Sequence, residues 1–202
     1  MTKLYLALFF ALSLLVASCG KTGEEENNKG KEKYHNNDFK GAIEEFSKAI
    51  EINPKNGEAY SNRGLAKNNL RDFQSAIADF DKAIEISPKV AIPYGNRGLA
   101  KNNISDFQGA ITDLSKAIEL DPKYVEAYSN RGVSKSSIGD FKGAIVDYNK
   151  AIELDPKLAE AYFARGGAKA SIGDKASAVA DLKKACELGH KEACDLIKEL
   201  GV

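Results

Sequence analysis

The feature that most constrains this chain is its period. Pro54, Pro88, Pro122 and Pro156 stand 34 residues apart, and other landmarks keep the same offset. Tyr60, Arg63, Gly64, Ala76, Phe80, Ala83 and Pro88 recur as Tyr94, Arg97, Gly98, Ala110, Leu114, Ala117 and Pro122. They recur again as Tyr128, Arg131, Gly132, Ala144, Tyr148, Ala151 and Pro156. A chain built this way needs no single core, because each unit buries its apolar face against its neighbours. Its length of 202 residues therefore does not count domains in the usual way.

Each unit reads as two antiparallel helices. In residues 125–158, Phe141, Ala144, Ile145, Tyr148, Ala151 and Ile152 fall at helical spacing on one face, with Lys142, Asp147, Asn149, Lys150 and Glu153 opposite. Asp38, Asp72, Asp106, Asp140 and Asp174 each precede a second helix and can cap its first amides. Gly139 and Gly173 suit a left-handed helix end, and the recurring proline closes the second helix.

The period, with a large aromatic, Gly four residues on, then Ala, an aromatic or Leu, Ala and a closing Pro, resembles the tetratricopeptide repeat. The resemblance covers nearly everything after residue 22. It implies an all-α, right-handed α-solenoid of helix-turn-helix repeats. Five repeats are expected at 23–192: a degenerate one at 23–56, then 57–90, 91–124, 125–158 and 159–192. A capping helix at 191–202 follows, overlapping the last repeat, with Ala193, Leu196, Ile197 and Leu200 as its apolar stripe. Two departures from the family pattern stand out. Its Leu before the Gly is Arg63, Arg97, Arg131 and Arg165 here, and its following Tyr is Lys67, Lys101, Lys135 and Lys169. Both bear on how the two helices of a repeat meet.

Residues 1–18 read as an export signal: Lys3 supplies a positive charge, Leu4 to Val16 is almost wholly apolar, and Ala17-Ser18 are small. The apolar run is shorter than the roughly 20 residues of an ordinary spanning helix. Val16-Ala17-Ser18-Cys19 resembles the lipobox of bacterial lipoproteins, which implies cleavage before Cys19, its lipidation, and a short tether at 19–22. The localisation this implies is exported and lipid-anchored in the bacterial cell envelope, at the periplasmic face or the cell surface.

In the family, first helices line a concave groove. The groove candidates by spacing are Asn62, Leu65 and Asn69, then Asn96, Leu99 and Asn103, then Asn130, Val133 and Ser137, with Phe163 in the last repeat. The recurring Asn62, Asn96 and Asn130 can form an amide ladder on an extended peptide, or bond their own helix or a neighbouring side chain. The carboxylate clamp of chaperone-binding members is not expected, since its Lys position is Ser or Gly here.

The arginines suggest an anion ladder or structural ion pairs. The second is favoured because an acid recurs 16 residues on, pairing Arg63 with Asp79, Arg97 with Asp113, Arg131 with Asp147 and Arg165 with Asp181. Cys186 and Cys194 flank the final turn, and their local strings resemble cysteine-paired Sel1-like repeats, which implies a disulfide; the alternative is two buried thiols. With His190 they lack a fourth ligand, so no metal is expected.

No enzyme is expected either. The two histidines, His35 and His190, lie in terminal elements, and Gly20-Lys21-Thr22 lacks the upstream glycine of a phosphate loop. Lys plus Arg equals Asp plus Glu at 29 each, which argues against bulk attraction to nucleic acid phosphates. The reading is a non-catalytic adaptor without cofactors, membrane-anchored through its N-terminal lipid. It binds a protein or extended peptide and no nucleic acid or small-molecule substrate. The alternative is a structural or accessory subunit of an envelope secretion or assembly complex, acting through its convex face.

Overall fold

The computed structural model describes residues 23–201, all of whose regular structure is helical. The signal, the lipidation residue Cys19 and the tether lie outside these residues. The described chain forms two compact units, one ending at Pro88 and one beginning at Lys89.

The first unit holds α1 (Gly23–His35), α2 (Phe39–Ile52), α3 (Gly57–Asn69) and α4 (Phe73–Ile86). Each odd-numbered helix packs against the one after it, and α2 also packs on α3. Ala42, Phe46 and Ala66 form one buried cluster, flanked by Tyr34, Phe39 and Ile43. Ala49, Ile50 and Ala59 form a second, against Tyr60.

The second unit holds α5 (Ala91–Asn103), α6 (Phe107–Leu120), α7 (Val125–Ser137), α8 (Phe141–Leu154), α9 (Ala159–Ser171), α10 (Lys175–Glu187) and α11 (Lys191–Leu200). Each helix packs on the next across a short turn from α5 onwards, and α5, α7 and α9 also touch in sequence. The clusters are Ala110, Leu114, Ala117 and Ala127, and Ala144, Tyr148 and Ala168.

The sequence explains the close pairing. A Cβ added at Gly132 would lie 2.6 Å from Cε1 of Tyr148, and one at Gly64 would lie 2.7 Å from Cε1 of Phe80. Only glycine admits the large side chain of the second helix, which is then fully buried. Asp38, Asp72, Asp106, Asp140 and Asp174 each accept a hydrogen bond from the amide three residues on.

The residue just beyond each first helix and its cap adopts positive φ. Gly139 and Gly173 serve there at 84° and 86°, whereas Arg71 and Ser105 hold 64° and 63° without glycine's freedom.

Two placements differ from the spacing argument. Asp147, assigned to the solvent side of α8, is buried at 2% exposure because two cations meet it from α7. In α11 only Ala193 is buried, while Leu196 and Leu200 stay exposed, since no helix packs on that side of the stripe among the described residues.

Candidate interaction site

The polar frame comes first, because it fixes the first helices. Arg131 on α7 holds Asp147 on α8 with two hydrogen bonds, 2.9 Å from Nε and 2.7 Å from Nη2. Lys135, one turn further on, reaches Oδ2 of the same carboxylate, the oxygen that accepts from Nε, at 2.8 Å. The arrangement repeats as Arg63, Lys67 and Asp79, as Arg97, Lys101 and Asp113, and as Arg165, Lys169 and Asp181. Each aspartate is buried and each cation is mostly so. The two departures from the family pattern therefore act together: Arg and Lys clamp one acid where two apolar side chains would otherwise pack. Each Arg also lies over the tyrosine three residues earlier, at 5.5 Å for Tyr60, 5.7 Å for Tyr94, 5.8 Å for Tyr128 and 5.3 Å for Tyr162.

The remaining guanidinium edge reaches the preceding repeat. Arg63 donates to Ser47, Arg131 to Ser115 and Arg165 to Asn149, at 3.1, 3.0 and 2.6 Å. These contacts, and the pairing of the lysines with the aspartates, were not read from the sequence. The signal was available: a polar residue stands 16 positions before each Arg, and a lysine four after it.

The first repeat keeps a reduced version. Lys33 bonds Glu45 at 2.7 Å, and Lys48 joins at 3.1 Å. These lysines hold the Glu45 carboxyl below its ordinary value. Lys31 pairs with Glu58, lowering its pKa as well.

The groove candidates divide into tied and untied groups. Asn62 donates to Asn27 of α1 at 3.2 Å. Asn69 donates to Tyr34 and to the carbonyl of Leu65, and Ser137 to that of Val133. Ser61, on the same stripe, is buried. Phe163 stacks on His190 with ring centroids 4.2 Å apart, so its outer face is covered. His190 was read only as a possible metal ligand; its Nδ1 instead accepts from Ala193 and caps α11, while Nε2 meets Glu160 at 2.9 Å. Leu65 and Leu99 are half-buried, and Asn103 is exposed but engaged.

Asn96 and Asn130 are the untied pair. Both are half-buried, and their carboxamides make no hydrogen bond with another described residue. The helices carrying them are joined by Asn102, which donates to the Asn130 carbonyl at 3.1 Å and accepts from Ser134 at 2.7 Å. Beside them Val133 is 41% exposed.

Cys186 and Cys194 are joined as a disulfide, with Cα atoms 4.7 Å apart, linking α10 to α11. Among the described residues no three His, Cys, Asp or Glu side chains are grouped to hold a metal. None of the described helices is long and apolar enough to cross a membrane.

The family models for the TPR repeat match residues 30–70, 105–135 and 137–173, and those for the tetratricopeptide repeat match 57–90 and 159–188. The chain belongs to the tetratricopeptide repeat family. Its architecture is accordingly the all-α repeat solenoid. A crystal structure of MamA is 32% identical and has a TM-score of 0.72, the match covering 81% of this chain and 96% of that one. YrrB, described as a TPR protein with an unusual peptide-binding site, is 22% identical with a TM-score of 0.69, covering 86% and 90%. PilW, a type IV pilus biogenesis factor, is 21% identical with a TM-score of 0.77, covering 84% and 78%. At those two identities the likeness is one of fold. Among curated proteins none is similar enough in sequence to be matched.

Proposed function

We propose that this tetratricopeptide protein is a non-catalytic adaptor that binds an extended segment of a partner protein along its first helices. The observation that carries this reading is the pair Asn96 and Asn130. A carboxamide offers two donors and an acceptor, which matches the alternating N–H and C=O of an extended backbone. Leu99 and Val133 beside them provide apolar contact. Neither amide is closed off from solvent, so each can exchange water for the backbone of a ligand. The described peptide-binding site of YrrB makes the same use of the fold reasonable here.

The reading extends to location. Val16-Ala17-Ser18-Cys19 supports a lipid on Cys19 and residence in the bacterial cell envelope. A second reading, an accessory subunit engaged through the second helices, is favoured by one observation: Val146 on α8 is 64% exposed.

Crosslinking in the native cell, followed by mass spectrometry, tests the adaptor reading. The intact protein should capture a partner that Asn96→Ala/Asn130→Ala loses and Val146→Lys retains. The opposite pattern would establish the accessory reading instead. Palmitate incorporation that persists in Cys19→Ala would end the lipidation proposal.

A further inference from the structure

One slot recurs along the edge of the second unit, between the N-terminal turns of successive first helices. Between α5 and α7 the chain fills it with its own ring. Tyr124 packs so closely on Gly95 that a Cβ there would lie 2.6 Å from Cε1 of the ring. Burial and the nearby carboxylates of Glu126 and Asp121 raise the Tyr124 phenol pKa.

One repeat later the corresponding residues are Leu158 for Tyr124 and Ser129 for Gly95. The shorter side chain leaves the slot open. It forms a pocket of about 210 Å³ lined by Val125, Glu126, Ser129, Asn130, Asp155, Leu158 and Glu160. Val125 and Leu158 are half-buried aliphatic walls.

The charge differs too. Where the filled slot has Ile92, this one has Glu126, and no cation lines it. The equivalent carboxylate in the first unit, Glu58, is paired with Lys31, whereas Glu126 has no cation partner among the described residues. Asp155 accepts from the Lys157 amide at 2.9 Å, and Glu160 accepts from Nε2–H of His190, leaving further lone pairs on both. Among the described residues these acids form no group suited to a metal ion.

We propose that this slot receives an arginine side chain of the bound segment, its guanidinium lying where the Tyr124 ring lies one repeat earlier and its N–H groups meeting Glu126, Asp155 and Glu160. The proposal rests on the first-helix wall binding a peptide, with Asn130 common to both. A planar guanidinium enters a space shaped for a ring, and its five donors match three carboxylates better than a compact ammonium does. Its methylene stem would cover Val125 and Leu158.

Selection from a phage-displayed random decapeptide library against the intact protein tests this. The expected result is an arginine enriched at one fixed place in the selected peptides. Replacing it with alanine, or using Glu126→Gln, should weaken binding about tenfold. The variant Ser129→Gly/Leu158→Tyr rebuilds the filled slot from a pair the chain already tolerates. It should melt like the wild type and select peptides without the arginine. Enriched peptides that depend on Asn96 and Asn130 but carry tyrosine, an aliphatic residue or nothing fixed at that place would overturn the arginine slot alone. Arginine enrichment that survives the filled slot would overturn it as well. Failure to enrich any peptide would overturn the peptide-wall reading and the slot together.

Discussion

Arg131 and Asp147 face each other across the two helices of one repeat, joined by parallel hydrogen bonds of 2.9 and 2.7 Å with the carboxylate 2% exposed. A bidentate pair at this depth is sensitive to loss of either member. Arg131→Ala would leave Asp147 with Lys135 alone and strand part of its charge. The expected cost is about 2–4 kcal/mol. Arg131→Lys should recover little, because an ammonium cannot span both oxygens and Ser115 together. Urea unfolding midpoints measure both. Peptide affinity should be unchanged in either variant.

Left-handed turns offer the converse experiment. Arg71 and Ser105 hold φ near 64° and 63°, where Gly139 and Gly173 stand in the neighbouring repeats. A non-glycine residue there costs roughly 1–2 kcal/mol, partly offset by the freedom glycine has when unfolded. Arg71→Gly and Ser105→Gly should each stabilise the protein by about 0.5–1 kcal/mol. Thermal melting should show a higher midpoint for each.

Acid sensitivity of the first unit follows from Glu45. Hydrogen bonds from Lys33 and then Lys48 put its folded pKa below the ordinary 4.5. A lowered folded pKa means stability that is fully present above the unfolded value and is lost as pH falls through the folded one. The window therefore lies below about pH 4.5. Stability against urea measured from pH 6 to pH 3 should decline less steeply in Glu45→Gln than in the wild type. An identical slope would contradict the role given to Lys33.

The link between α10 and α11 predicts a redox effect. With Cys186 and Cys194 reduced, α11 keeps Ala193, the His190 cap and the Phe163 stack as its attachments. A double Cys→Ala variant should lose about 2–3 kcal/mol of stability at that end. Hydrogen exchange should rise in the α11 amides well before any change in α7 or α8.

Much of the fold was legible because periodicity reports packing directly. Gly64, Gly98 and Gly132 with their partners Phe80, Leu114 and Tyr148 follow from close approach, and the five aspartate caps from amide geometry. The Arg to Asp spacing was readable for the same reason. The candidate site was less so. Asn62 and Asn130 are equivalent in sequence, yet the carboxamide of the first bonds Asn27 while that of the second bonds no described side chain, because only the first repeat carries that asparagine buried on α1. Periodic reasoning treats copies as alike and misses what their neighbours make different. Phe163 shows the same limit: its cover comes from His190, which stands where the period elsewhere places a proline such as Pro156.

The contacts from Arg131 to Ser115 and from Arg165 to Asn149 carry one more implication. Modules 91–124 and 125–158 each bring their own guanidinium and offer a hydroxyl or an amide to the module that follows, so the joint after either of them is complete. Inserting a second 125–158 segment in tandem would set Arg131 against Asn149, a match already made by Arg165. Lengthening this protein by whole modules, in the laboratory or over generations, thus leaves no joint half-made.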